Sequence, residues 1–212
     1  MYPHRRSAVA VLMGALLAVA ACGAPAASRT PTSEPGEAGT AAAEAYCTEQ
    51  GGQLVERIPN WNTNADPAQW LELAEPMTFC EFETVEGDSP TRISVDLVTL
   101  SSEKPTLAGI AYLSKVRPSQ TENPGENPAR HHCIVDLGGS ATWGGGIGAG
   151  GWTDQSQPVF IVMDMCVFPD MSAIDEFGIW YYANDIVRGA DLSTKFRYQP
   201  DGDLPAIWPP TR

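Results

Sequence analysis

Apolar positions change their period several times along this chain, and each change marks an element. Residues 8–21 are an unbroken apolar run of Ala, Val, Leu and Met with one Gly. Residues 41–50, rich in Ala and Glu, predict a short helix that stops at Gly51 and Gly52. Residues 53–58 and 77–83 read as strands, the second carrying Cys80. Over 92–100, Ile93, Val95 and Leu97 alternate with Arg92, Ser94 and Asp96, the period of a strand with one buried face. Leu107, Ile110, Ala111 and Ser114 then recur at helical spacing behind Pro105, which predicts a helix over 105–116. Further on, 127–137 is a candidate helix, 159–168 a long buried strand, and 178–183 a strand of bulky aromatics. Residues 60–66, before Pro67, form a loop, and 119–126, with Pro124 and Gly125, a linker. The tail 199–212 contains Pro200, Pro205, Pro209 and Pro210 and should be extended.

The cysteines organise these elements. Cys47 to Cys80 spans 33 residues, and so does Cys133 to Cys166. At the implied offset of 86, Phe82 falls on Phe168, and Ile93, Val95 and Leu97 fall on Ile179, Tyr181 and Ala183. Gly51 and Gly52 meet Gly138 and Gly139 one residue out of register. Trp61, Trp70 and Pro76 repeat as Trp143, Trp152 and Pro158 at a different offset, 82. A tandem duplication follows. The expected fold class is α+β: two small disulfide-pinned repeats, 41–118 and 127–198, each a short helix packed on an antiparallel sheet. Two units of one design most simply bridge internally, Cys47 to Cys80 and Cys133 to Cys166, with crossed bridging between the units as the alternative. A loop of this size, once closed, contributes about 3–4 kcal/mol, which matters in a repeat of some 70 residues with little core of its own.

The amino terminus adds a location. His4, Arg5 and Arg6 precede the 14-residue apolar run, which is short of the about 20 residues needed to span a bilayer. That is the layout of a signal peptide over 1–21. Val19, Ala20, Ala21 and Cys22 resemble a lipobox, in which the cysteine thiol receives diacylglycerol; two acyl chains suffice for stable anchoring. Residues 22–40, mostly Pro, Ala, Ser, Thr and Gly, read as a disordered tether that holds the folded part roughly 20 Å off the membrane. The expectation is an exported, lipid-anchored envelope protein. Loss of Arg5 and Arg6 leaves 11 basic and 26 acidic residues, a formal charge of −15. That argues against nucleic acid and anionic lipid as partners and leaves open simple solubility, a divalent ion, or a cationic envelope protein that this chain would inhibit or scavenge.

Asn127, Pro128 and Ala129, then His132 and Cys133, Gly138 and Gly139, and finally Cys166, Phe168, Pro169, Asp170 and Ser172 resemble a small bacterial domain of unknown function whose members carry a haemolysin label. Its pattern is NPA-x-x-YC, GG, C-x-FPDGS. Ala43, Tyr46, Cys47, Gly51 and Gly52 match its opening in the first repeat. The resemblance implies an exported cysteine-stabilised module and no established reaction; no pore-forming segment accompanies it. The family's two further cysteines would fall at Ile174 and Asn184, and their joint absence is what pairing with each other would produce. His132 stands where the family has tyrosine, and Met171 where it has glycine.

Candidate chemistry is sparse. His131 and His132 are neighbours that point apart, so no metal is expected there. Gly146, Gly148 and Gly151 spell a dinucleotide fingerprint, but eight of the 14 residues over 138–151 are glycine, and neither the flanking strand nor the helix is predicted, so no cofactor is expected. Asp164, Asp170, Asp175 and Glu176 offer an acid/base pair for a hydrolase, though Asp170 and Ser172 read more simply as a turn. Trp61, Trp70, Trp143 and Trp152 are large aromatics in polar loops, and form the candidate binding face for a glycan or protein. The reading that results is a non-catalytic binding module.

Overall fold

The computed structural model describes residues 35–86, 89–141, 150–154 and 162–204. The signal segment, the lipobox with Cys22, Trp143 and most of the glycine-rich loop lie outside them. The first helix, α1 (Pro35–Glu49), begins inside the stretch read as tether, with proline as its first residue, where a missing N–H costs nothing. Among the described residues nine strands follow: β1 (Gln53–Trp61), β2 (Leu71–Glu72), β3 (Met77–Glu86), β4 (Ser89–Asp96), β5 (Ser140–Ala141), β6 (Gly151–Asp154), β7 (Val162–Met163), β8 (Met165–Val167) and β9 (Ala173–Asp175). The remaining helices are α2 (Leu97–Ser101), α3 (Leu107–Ser114), α4 (Pro128–His131) and α5 (Glu176–Ala183).

The strands do not form two sheets. They join in one antiparallel sheet in the order β5-β8-β9-β4-β3-β1-β6-β7, with β2 on β1, and residues 34–212 form one unit. Two half-size sheets would each bury too little apolar surface; joined at β4 and β9 they share one core. Its helix-side cluster draws Cys47, Phe82, Ile93, Val95 and Tyr112 from the first half and Cys133, Cys166, Phe168, Ile174 and Phe196 from the second. The sheet curls, so that Met163 on the edge strand β7 reaches the Ser94 hydroxyl on β4 at 3.5 Å. That inner face holds Phe79, Trp152, Met163, Met165 and Ala173, together with a fully buried Arg57 paired to Glu81.

Both disulfides have the uncrossed pairing, Cys47–Cys80 and Cys133–Cys166. Each ties a helical turn to a strand, and all four cysteines are fully buried. The register places the strand member of each bridge, Cys80 and Cys166, on one cross-strand row: Leu54, Cys80, Val95, Ile174, Cys166, Ala141. In each half the second glycine of the pair lies against the bridge. A Cβ on Gly52 would lie 2.3 Å from Cys80 Sγ, and one on Gly139 2.6 Å from Cys166 Sγ, so only glycine lets the chain pass. Gly51 and Gly138 both take positive φ, +84° and +65°. The one-residue slip between the glycine pairs has a physical cause. Residues His132–Asp136 form a π turn, which accommodates one extra residue before Gly139 N–H closes on Cys133 O at 2.8 Å.

Several expected elements change. Residues 178–183 are helical, within α5, because the Asp175 carboxylate accepts from Gly178 N–H at 2.8 Å and starts a helix after only three strand residues. The 92–100 strand likewise ends at Asp96, which caps α2 through Thr99 N–H at 2.9 Å. Asp96 and Asp175 thus each end a strand and cap a helix, while of the residues matched at the offset of 86, Ile93 and Val95 lie on β4 and Ile179 and Tyr181 on α5. The long strand expected over 159–168 is, in its described part, two short strands broken at Asp164, where the chain leaves β6 and joins β5 and β9. Ile174 lies on β9, and Asn184 is the residue that ends α5.

The turn between β8 and β9 keeps its shape without glycine. Met171 sits at φ +67°, a left-handed conformation that an L side chain resists. Met171→Gly is expected to raise stability by about 0.5–1 kcal/mol, the relief of strain exceeding the added freedom of the unfolded chain; a thermal melt checks it.

Candidate binding cleft

The proposed aromatic face is not assembled as one surface. Trp61, at the end of β1, is 45% exposed. Trp70 is half-buried, and its indole N–H donates to Ala65 O at 3.0 Å. Trp152 is only 5% exposed and packs edge-on against Phe79, ring centroids 5.3 Å apart. Trp152 belongs to β6, paired with Pro59 on one side and Met163 on the other, so the sheet holds it as core.

Trp152 does, however, line an open cleft of about 630 Å³ on that face of the sheet. Pro59, Ala74, Pro76 and Met77 form one side, and Ala141, Val167, Met171 and Ala173 the other. Glu75 is the single ionisable residue in the lining. Its size is typical of a ligand-sized recess, lined mainly by apolar groups with few polar ones.

The acidic residues lie elsewhere and are tied to backbone. Asp170 accepts from Leu107 N–H at 2.8 Å and from Ser172 N–H at 3.1 Å, while Ser172 Oγ accepts from Ala108 N–H at 2.9 Å. The pair thus docks the first turn of α3 onto the β8–β9 turn. Burial alone would push the Asp170 carboxyl up, but these donors outweigh it and hold the pKa below its ordinary value. Asp96 accepts from Thr99 N–H and, at 2.7 Å, from Ala173 N–H, and burial raises it. Asp175, also buried, is pushed up to about 6 despite its bond from Gly178.

Glu176 differs from these. Its side chain is fully buried and neither carboxyl oxygen has a hydrogen-bond partner. Burial first, then the charge of Asp164, push it up to about 8, against the pull of Arg130. Arg130 stands 4.0 Å from Asp164, whose own pKa burial raises.

His132 is buried rather than half-exposed. Its Nδ1 lies 2.8 Å from Asp136 Oδ2, burial holds its pKa down, and it fills core space beside the π turn. His131 faces Glu126 at 3.2 Å. Among the described residues no group of three or more His, Cys, Asp and Glu is placed to hold a metal ion, and no helix is long and apolar enough to cross a membrane. What fold and site define is an α+β protein with one curled antiparallel sheet, pinned by two disulfides and carrying an apolar cleft. The chain matches no family model, no curated protein and no solved structure.

Proposed function

We propose that this chain is an exported lipoprotein, held on a membrane through Cys22, whose folded part is a non-catalytic binding module made of two copies of one design. The observation that carries the binding reading is the contrast between the two sets of residues. Asp170, Asp175 and Asp96 are engaged by backbone N–H groups at helix starts, whereas the cleft presents a mainly apolar lining to solvent. The palindromic row of Leu54, Cys80, Val95 and Ile174, Cys166, Ala141 supports duplication, as do the matching glycines beside each bridge. The same row supports the resemblance to tandem copies of the haemolysin-labelled domain. Buried disulfides suit an oxidising compartment, and the lipobox supplies the anchor.

Asp170→Ala separates this reading from a hydrolase centred there. It is expected to lower stability by about 1–2 kcal/mol through loss of the α3 contacts, and to leave binding by the purified chain unchanged once folded. Loss of a hydrolytic activity with unchanged stability would favour the enzyme instead. The direct test is cross-linking on intact cells: a defined partner should be recovered, and recovery of nothing beyond what an unrelated lipoprotein recovers would end the proposal.

A further inference from the structure

The charge around the cleft narrows what it can hold. All of its lining comes from two stretches, 58–91 and 131–187, and neither contains a lysine or arginine. The first stretch carries seven acids, of which Glu75 lines the cleft and Asp66 and Glu72 are exposed in the segment leading to it. Large apolar side chains stand between these acids or face them: Leu71 is 60% exposed, Leu73 36% and Met171 70%. The basic residues that bound the two stretches are engaged elsewhere. Arg57 is buried against Glu81, Arg92 approaches the same carboxylate, Arg130 faces Asp164, and Arg188 lies over the Tyr181 ring.

An apolar recess with Glu75 in its lining, and with Leu71, Glu72 and Leu73 exposed in the adjoining segment, is complementary to a segment that offers both apolar and cationic side chains. We infer that the cleft is the docking site for a basic, amphipathic segment of an envelope protein. Its apolar side chains enter between Met77, Val167 and Ala173, and its lysines or arginines meet Glu72 and Glu75. This rests on the binding-module reading and adds the partner's chemistry to it. A neutral alkyl chain would use the floor and gain nothing from the acidic wall; a nucleic acid or acidic peptide would be repelled by it.

The test uses the exported chain from residue 22 with Cys22→Ser, which stays in solution without detergent. Three probes are compared by fluorescence anisotropy or displacement: a labelled Lys/Leu amphipathic peptide, its Glu/Leu counterpart, and dodecanol. The Lys/Leu peptide is expected to bind, and to bind about tenfold more weakly when salt screens the acidic wall. Glu72→Lys with Glu75→Lys, and separately Met171→Lys, should each weaken it by about tenfold or more; all three positions are exposed, and a melt confirms folding. Equal binding of the Glu/Leu peptide, or insensitivity to salt and to the rim variants, overturns the inference. Dodecanol bound in the cleft without the peptide overturns it too, while leaving a binding module with a lipid ligand. If no probe binds, the docking site is refuted, and the cell-surface cross-linking then decides the broader proposal on its own.

Discussion

Raising the pH from 6.5 to 8.5 is expected to lower the stability of the folded chain by roughly 2 kcal/mol through Glu176. The folded pKa is raised, from 4.5 to about 8, so the folded state holds the proton where the unfolded chain has released it. The contribution is intact below the unfolded value and is lost as pH climbs toward 8. Other groups interfere little in this window. Asp175, raised to about 6, completes its loss below it. His132, whose pKa burial holds below its ordinary value, acts with the opposite sign, its contribution rising with pH. Glu176→Gln keeps the shape and removes the charge. It should flatten the profile and make the variant more stable than the parent at pH 8.5 by on the order of 4 kcal/mol. Urea denaturation at pH 6.5, 7.5 and 8.5 reads both effects. A parent curve indifferent to pH, or one that Glu176→Gln leaves unchanged, would show that the carboxyl is not buried unpartnered.

The second large effect belongs to the bridges. Replacing Cys133 and Cys166 together by alanine should cost about 3–4 kcal/mol, and the Cys47 and Cys80 pair a similar amount. Gly139→Ala should cost a further 1–3 kcal/mol in the intact protein, because its Cβ would overlap Cys166 Sγ. That cost should shrink when Cys133 and Cys166 are already alanine, since the clash partner has gone. A thermodynamic cycle across these variants measures the coupling. Strict additivity would mean that the glycine is present for its backbone conformation rather than for its closeness to sulfur.

Much of this architecture is legible in local pattern. Equal cysteine spacing and paired glycines predict the bridges, and the alternation around Cys80 and Ile93 predicts β3 and β4, because sheet faces leave a period of two. α3 is equally plain from its stripe and its proline. The misses are places where distant residues decide. The aromatic run 178–183 has the preferences of a strand, yet Asp175 at its start forms a helix cap; the signature Asp175-Glu176-x-Gly178 is the signal that could have revealed it. Burial of Arg57 and Trp152 follows from the curl of a sheet whose β6 and β7 strands return to β1 across more than 90 residues of chain. No periodicity in either segment announces that return. The cleft is hidden for the same reason: its walls are 59–77 and 140–173, brought together only by the shared sheet.

Intact-mass and peptide-level mass spectrometry of the mature polypeptide, isolated from membranes without reductant, tests the central claim most directly. The expected species begins at Cys22 with the added mass of two acyl chains on glycerol, and yields only the peptides linked Cys47 to Cys80 and Cys133 to Cys166. A chain with residue 22 unacylated, or with those four sulfurs as free thiols, would contradict the account.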